Sequence, residues 1–512
     1  MPKVAVIGAG VLGLTALKNL LEEGFDTTAF DKNDYVGGLW RFTEDGDTTS
    51  ATESTPDFPT LAQIQAYLEE YCKAFSLSPH IKLRHMVKQV TRQDDMWSLK
   101  YVDMIGVQHE EKFDKVIMAV GQTGKRVMPL DIFGLEFFKG RLLHGQSFKR
   151  GADFKDKNVL VLGSSNTAMD CAVDLCGHAK RIYLSHRHGG VIIPRYYKGA
   201  PAEFSISLRM QALGRIVGNI APSRWALVFN KKCLAISNDI FGSLPKDWRF
   251  NILPEGQMCN PIINDKIIDM LRKGQVSVVQ CMRSVLKSGE IELVSGEELS
   301  DVDTIILCTG YKYDYSILPE SISPIRDPKP EWEACPASSG RPLPTLYQGI
   351  FSLDYPESLA FLGVSGYPSS QMPLNDLISM AIVQIWKGAH KLPSRAEMES
   401  EVDSRHTWLT EMATQDGPSI LPGRVKVGPW MQWLHKAAGT GVNDNLGYGL
   451  KGWLFWLRCH SFCQSLMNGI NSPHLWRLFE GRRRKWAGAE EAIIRVNEDA
   501  KSRQRSTALP TK

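Results

Sequence analysis

Two glycine-rich turns, each set between an apolar run and a helix-like stretch, predict an α/β fold of two Rossmann-like dinucleotide-binding domains. Two strand-like runs, one in each half, end in small residues at corresponding places and predict that the second domain is inserted in the first. A shift to helical, aromatic-rich sequence beyond about residue 395 predicts a C-terminal helical appendage.

The first turn is Gly8-Ala9-Gly10-Val11-Leu12-Gly13, between the apolar run Val4 to Ile7 and the helix-like stretch Leu14 to Leu21. That order leaves bare backbone N–H groups at a helix N-terminus, where they hold a pyrophosphate and the helix dipole favours its charge. Some twenty residues on, the strand-like Thr27 to Phe30 ends in Asp31. A carboxylate there accepts hydrogen bonds from a ribose diol and repels a 2′-phosphate, which suits FAD or NAD. Phe113 to Gly121 reads as a buried strand running into a turn that closes against this nucleotide, and Leu359 to Val364 as another buried strand. Ile378 to Lys387 reads as a helix ended by Gly388. The first domain is therefore expected in two pieces, 1–150 and 315–392.

The second turn, Gly163-Ser164-Ser165-Asn166-Thr167-Ala168, follows Val159 to Leu162 and opens a helix over Met169 to Leu175. Ser165 and Ala168 stand where glycines are usual, but small side chains still allow a close approach. The next strand-like run, Ile182 to Leu184, ends in Ser185-His186-Arg187, and no acid occurs between Asp174 and Glu203. A positive pocket prefers a 2′-phosphate, hence NADP. This domain, 155–312, closes on Thr304 to Cys308 followed by Thr309-Gly310-Tyr311. Two such sites can hold two dinucleotides face to face, and electron transfer between them is the obvious use.

Composition excludes several classes. A net charge of +4 over 512 residues is too small to imply a nucleic-acid partner. The 10 cysteines include no CxxC pair and no zinc-finger spacing, so no metal site is expected, and they read as reduced thiols. Cys459 and Cys463 read as core residues. Met1 to Leu21 is apolar because of the glycine fingerprint, not as a leader. No apolar stretch is long enough to span a membrane. Gly452 to Leu457 is expected to be buried against the protein, with an interfacial contact as the rival reading. The tail tryptophans Trp408, Trp430, Trp433, Trp453, Trp456, Trp476 and Trp486 read as packing and Arg482 to Lys485 as a solvated face. The last dozen residues are expected to lack order. These readings point to a cytoplasmic protein, with peripheral contact on an internal membrane left open.

Between the turns, Phe138-Lys139-Gly140-Arg141-Leu142-Leu143-His144-Gly145-Gln146-Ser147-Phe148 has an FxGxxxHxxxF pattern. This pattern resembles the identifying signature of flavin-containing monooxygenases. Gly37-Gly38-Leu39-Trp40, Asn264-Asp265 and Thr309-Gly310-Tyr311 resemble further elements of that family, and Leu346 to Gly366 looks most like its fungal branch. The resemblance covers most of residues 1–390. It implies FAD held by Gly8, Gly10, Gly13, Asp31, Gly38, Leu39, Trp40, Gly121, Thr309 and Gly310. It implies NADPH held by Gly163, Ser165, Asn166, Thr167, Ser185 and Arg187. It casts His144 and Trp40 as the catalytic pair, His144 ordering the hinge and the NADP across it and Trp40 packing by the flavin. The implied reaction passes hydride from NADPH to flavin and oxygen from O2, through a C4a-hydroperoxyflavin, to a nucleophilic N or S atom of a small molecule. Phe148 stands where the related Baeyer–Villiger enzymes often carry Trp, which favours heteroatom oxidation. A homodimer is compatible with this reading.

One departure from the family pattern falls at Thr43 to Thr60. That segment is short and polar, no asparagine occurs between Asn33 and Asn158, and some twenty to thirty residues are missing near Thr55-Pro56. It leaves three alternatives beside the main one: a Baeyer–Villiger oxygenase, an NADPH oxidase or reductase, and a catalytically impaired nucleotide-binding protein.

Overall fold

The computed structural model describes residues 1–41, 58–129, 132–254, 257–366, 371–414, 417–447 and 449–508. The departure at Thr43 to Thr60 lies almost wholly outside the described residues. Lys3–Ile7 lies inside a seven-stranded sheet, parallel to Asp26–Phe30 on one side and to Lys115–Met118, the central strand, on the other. Val4, Ala5 and Val6 are completely buried, as a parallel strand covered on both faces requires. Ile81–Lys82 extends the sheet at one edge, and Leu359–Phe361, Phe351–Ser352 and Leu346–Tyr347 extend it at the other. Residues before and after the insertion thus share one sheet.

The second sheet is wholly parallel, in the order Ser277–Val279, Arg181–Ser185, Asn158–Leu162, Thr304–Leu307, Arg141–His144. Its last strand comes from the stretch assigned to the first domain, whose expected boundary at 150 therefore falls too late. Arg141–His144 joins this sheet because its carbonyls and amides pair with Thr304–Leu307, a register that no local pattern encodes. Phe113 likewise belongs to an antiparallel meander of Met86–Gln93, Met96–Val102 and Gln108–Phe113, so the buried parallel strand starts only at Lys115. The chain crosses between sheets twice, and the crossings pair: Lys125–Arg126 runs antiparallel to Tyr311–Lys312.

Helices at both glycine turns start earlier than their apolar runs, at Val11–Glu22 and Asn166–Leu175, and the helix expected from Ile378 spans Gln371–Trp386. The C-terminal region is less of an appendage than its sequence suggests. Helix Arg395–Ala413, opened by a Ser394/Glu397 capping box, docks on the first sheet. Its Arg405 Nη2 donates to the Leu346 carbonyl at 2.5 Å, and its His406 Nε2 faces the Pro344 carbonyl at 3.1 Å. Helix Val427–Ala438 places Trp430, Leu434 and Ala437 in the same core as Leu14, Leu17 and Ile382.

Several tail expectations are corrected. Arg483 is buried and paired with Glu22 of the first helix, so the solvated-face reading fails at that residue, while Arg482, Arg484 and Lys485 are exposed and Arg482 donates to the Lys436 carbonyl at 3.1 Å. All ten cysteines are free thiols, but Cys459 is exposed while Cys463 is buried. Helix Leu450–Arg458 buries only Gly452, so Trp453 and its neighbours are not packed inward as expected. The last helix, Ala489–Ala508, reaches into the final dozen residues. Among the described residues no helix is long and apolar enough to cross a membrane, and no group of three metal-ligating side chains assembles.

Candidate functional site

The first turn is built by contacts that leave no room for side chains. A Cβ on Gly8, whose φ is +109°, would lie 2.5 Å from the Ala119 carbonyl oxygen, and one on Gly13 would lie 1.8 Å from that of Gly8. These two glycines serve strand-to-helix packing. Gly10 is different. The nearest atom to a Cβ there is the Gly38 Cα at 3.8 Å, and φ is −75°, so the protein itself does not demand a glycine. A Cβ there would sit in ordinary contact with the Gly37–Gly38 turn, whose backbone lies 3.8–4.0 Å away. No side chain caps the helix that starts at Val11, whereas Thr60, Ser207 and Ser394 each cap their own helices. The residues present therefore fit a dinucleotide.

Asp31 is buried at the end of its strand. Its Oδ2 accepts from Ala9 N–H at 2.7 Å and its Oδ1 from Asn33 N–H at 2.8 Å. Burial holds its carboxyl above the usual carboxylate range. Asp31 thus braces the glycine turn, and its remaining lone pairs stay available to a diol. The Gly38–Trp40 turn lies against the first turn: Gly37 N–H donates to the Ala9 carbonyl at 2.9 Å, and Gly37 bridges Gly10. Leu39 is exposed and Trp40 is half-buried against the main core. Gly121 and Gly310, at φ +88° and +85°, face open space.

At the second turn Gly163 donates to the Ser185 carbonyl at 2.9 Å, and its Cβ would stand 2.7 Å from that of Cys308. Ser165, Asn166 and Thr167 lie exposed at the helix start, where no side-chain cap forms. Asn166 Oδ1 accepts from Ile263 N–H at 2.9 Å. Ser185 departs from expectation. It is completely buried, and its Oγ donates to the Gln280 carbonyl and accepts from Met282 N–H, at 2.9 and 2.8 Å. Its hydroxyl ties neighbouring strands together.

Arg187 is exposed just beyond the strand end. His186 beside it is buried against Phe250, with ring centroids 5.1 Å apart. Burial, helped by the nearby Arg249 charge, pushes its imidazole down to about 4, so it is neutral near pH 7. Arg249 is a residue that sequence reading missed. The Gly190 N–H donates to its carbonyl, bringing it beside the Arg187 loop from sixty residues away, with no sequence signal to announce it. Asn264 is structural: its Oδ1 caps the helix Ile267–Arg272 through Ile267 N–H at 2.9 Å, and its Nδ2 donates to Asp170.

The paired crossings form the seam between the two turns. Thr309 Oγ1 donates to the Val127 carbonyl at 2.5 Å, and Val127 N–H donates to that of Gly310. His144 is buried at this seam. Its Nε2 faces the Gly310 carbonyl at 3.1 Å, its Nδ1 accepts from Gln146 N–H at 3.2 Å, and its ring meets Tyr311 edge-on at 5.1 Å. The Gln146 N–H donated to Nδ1 leaves the Nε2 proton directed at the Gly310 carbonyl. Phe148 is buried in the second core, stacked on Phe154 at 5.5 Å.

Comparison with known proteins matches residues 1–505 to the family described as flavin-binding monooxygenase-like. The chain is 38% identical to monooxygenase aurF of Gibberella zeae, covering 98% of each. It is 29% identical to flavin-containing monooxygenase 5 of Rattus norvegicus, over 78% of this chain and 76% of that one. In fold it is similar to the S-allyl-L-cysteine S-oxygenase of Allium sativum, with a TM-score of 0.60 at 19% identity over 96% and 99% of the chains. It is also similar to a closed crystal structure of cyclohexanone monooxygenase, with a TM-score of 0.56 at 18% identity over 85% and 97%.

Proposed function

Since the chain belongs to the flavin-binding monooxygenase-like family and is a flavin monooxygenase using FAD and NADPH, we propose that it oxygenates a nucleophilic nitrogen or sulfur of a small molecule. When bound, FAD supplies hydride acceptance from NADPH and the activation of O2. In this reading Gly8, Gly10, Gly13 and Asp31 hold the FAD pyrophosphate and ribose. Gly38, Leu39 and Trp40 cover it, and Gly121, Thr309 and Gly310 border its inner end. Gly163, Ser165, Asn166 and Thr167 receive the NADPH pyrophosphate, and Arg187 its 2′-phosphate.

The observation that supports the proposal is the seam of paired crossings, in which the two segments linking the sheets are hydrogen-bonded to each other through Thr309, Gly310 and Val127. Two rings that exchange hydride need a fixed separation, and hydrogen-bonded linkers hold one. His144 acts on this seam as a positioning residue. Both its ring nitrogens are engaged with backbone, which suits orientation and not proton abstraction. Phe148, packed in the second core, bears on the choice of reaction only through packing.

The test uses purified protein carrying FAD, with N,N-dimethylaniline and methyl phenyl sulfide as probes. The expected result is NADPH and O2 consumed in equal amounts with N-oxide or sulfoxide formed. NADPH consumed with peroxide as the sole product, or a cyclic ketone converted to lactone while both probes stay unchanged, overturns it.

A further inference from the structure

The fold brings Cys233 and Cys259 together from two segments of the second domain. Cys233 lies on helix Pro222–Phe241, and Cys259 on the stretch that leads into Ile262–Ile263. Asn230, one turn before Cys233, clamps that stretch to the helix. Its Oδ1 accepts from Cys259 N–H at 2.8 Å, and its Nδ2 donates to the Gln257 carbonyl at 2.8 Å. Residues three apart on a helix share a face, so the clamp sets Cys259 beside Cys233. On its other side the stretch is fixed by Ile262–Ile263, which pairs with Ile192–Ile193. Both thiols are free, lie buried in one cluster with Val191, Ile193 and Ile236, and hydrogen-bond to each other.

The setting of the pair is electropositive. Lys232 precedes Cys233, and Arg424 donates to the Met258 carbonyl, next to Cys259, at 3.2 Å. The hydrogen bond from Cys259, with the Lys232 charge beside it, lowers the Cys233 thiol. The same bond, together with burial, pushes the Cys259 thiol up. Thiols beside cations ionise and react, whereas inert structural cysteines lack such neighbours. Cys233 is thus the attacking sulfur and Cys259 the one that closes on it. Arg424 also bridges Gly366, past the last strand of the first domain, so the stretch carrying Cys259 is one through which the two domains touch.

We propose that Cys233 and Cys259 are a modification site, oxidised by hydrogen peroxide to a reversible disulfide. Peroxide is what a flavin monooxygenase releases when NADPH is oxidised without oxygen transfer, so the oxidant arises on the same molecule. The Cys233 thiolate attacks one peroxide oxygen and the O–O bond breaks, leaving a sulfenic acid and a hydroxide that takes up the Cys233 proton as water. The Cys259 sulfur then attacks the Cys233 sulfur, the S–O bond breaks, and a second water leaves with the Cys259 proton. Two thiols lose two electrons and one peroxide is reduced to two waters. An external dithiol reverses the bond. None of this depends on which atom the enzyme oxygenates.

The experiment exposes reduced, full-length holoprotein to rising doses of hydrogen peroxide, blocks the remaining thiols with N-ethylmaleimide, and maps linked peptides by mass spectrometry. The expected result is a Cys233–Cys259 linkage as the first to form, with two of the ten thiols lost and FAD retained, and recovery of all ten with dithiothreitol. Cys259→Ser should stop at a sulfenic acid on Cys233, trapped by dimedone, and Cys233→Ser should give neither product. The linkage is read on the native chain, so the test stands even where a variant fails to fold. Three results overturn the proposal. They are full N-ethylmaleimide labelling of Cys233 after peroxide, another pair such as Cys171 and Cys308 linking first, and a dimedone adduct that forms on Cys259 as readily in Cys233→Ser.

Discussion

Replacing Gly10 by alanine separates what a ligand needs from what the fold needs. In the protein the added methyl group meets nothing nearer than 3.8 Å, and φ of −75° is ordinary for alanine. The chain without cofactor should therefore be as stable as before, or more so by about 0.4–1 kcal/mol, since alanine narrows the unfolded ensemble. The same methyl group would lie against the Gly37–Gly38 turn beside the uncapped helix start, and is expected to crowd a phosphate approaching the backbone N–H groups there. Losing one or two charge-assisted hydrogen bonds at about 1.5–3 kcal/mol each weakens FAD by roughly tenfold to ten-thousandfold. Two readouts suffice: flavin absorbance per protein after gel filtration, and the thermal midpoint of the apoprotein. Gly13→Ala is the contrast, because its methyl would stand 1.8 Å from the Gly8 carbonyl oxygen and must cost both stability and FAD. A Gly10→Ala protein that purifies with a full complement of FAD refutes the argument. So does one that loses FAD together with apoprotein stability.

Arg187→Ala should weaken NADP+ binding by roughly ten- to a hundredfold with little effect on NAD+, read by calorimetric titration; an unchanged preference removes Arg187 from the site. His144→Phe should leave FAD bound but loosen the seam, so that a larger share of NADPH ends as peroxide while the pH profile of oxidation keeps its shape; a lost limb near pH 6–7 would instead make His144 a proton carrier. Burial lowers His186 and His406 to about 4 and His435 to about 3, from 6.5 when unfolded. Their contribution is intact above pH 6.5 and is lost as pH falls toward 4, by about 1.4 kcal/mol per pH unit for each. Thermal midpoints should fall steeply across that window, and less steeply in His435→Gln; parallel curves would contradict this. Arg483→Met removes one of the two arginines on Glu22, which keeps Arg477 at 3.2 Å, and should cost about 1.5–3 kcal/mol, seen as early melting of the C-terminal helices.

Both nucleotide turns were legible because strand, glycine turn and helix follow one another within about thirty residues, and the sign of the next charge distinguishes the two. Asp31 is proposed for the ribose on that logic, and its position as a brace under Ala9 depends on backbone geometry that spacing does not carry. Ser185 was misread because a hydroxyl at a strand end reads the same whether it faces a ligand or a neighbouring strand. The exposed Trp453 was misread for the opposite reason: apolar residues are usually inside, and only packing reveals the ones that are not.

The amino-acid order alone determined the two Rossmann-like units, their cofactors and the insertion of one in the other. These rest on contacts between near neighbours and on a periodicity that survives without tertiary context. What only the tertiary structure decided is how distant pieces meet. Arg141–His144 joins the second sheet, Arg483 reaches Glu22, and Arg249 comes beside the Arg187 loop. Each of these is a pairing across sixty to several hundred residues. Such a pairing is fixed by the burial and hydrogen bonding of the whole chain, so no local pattern records it.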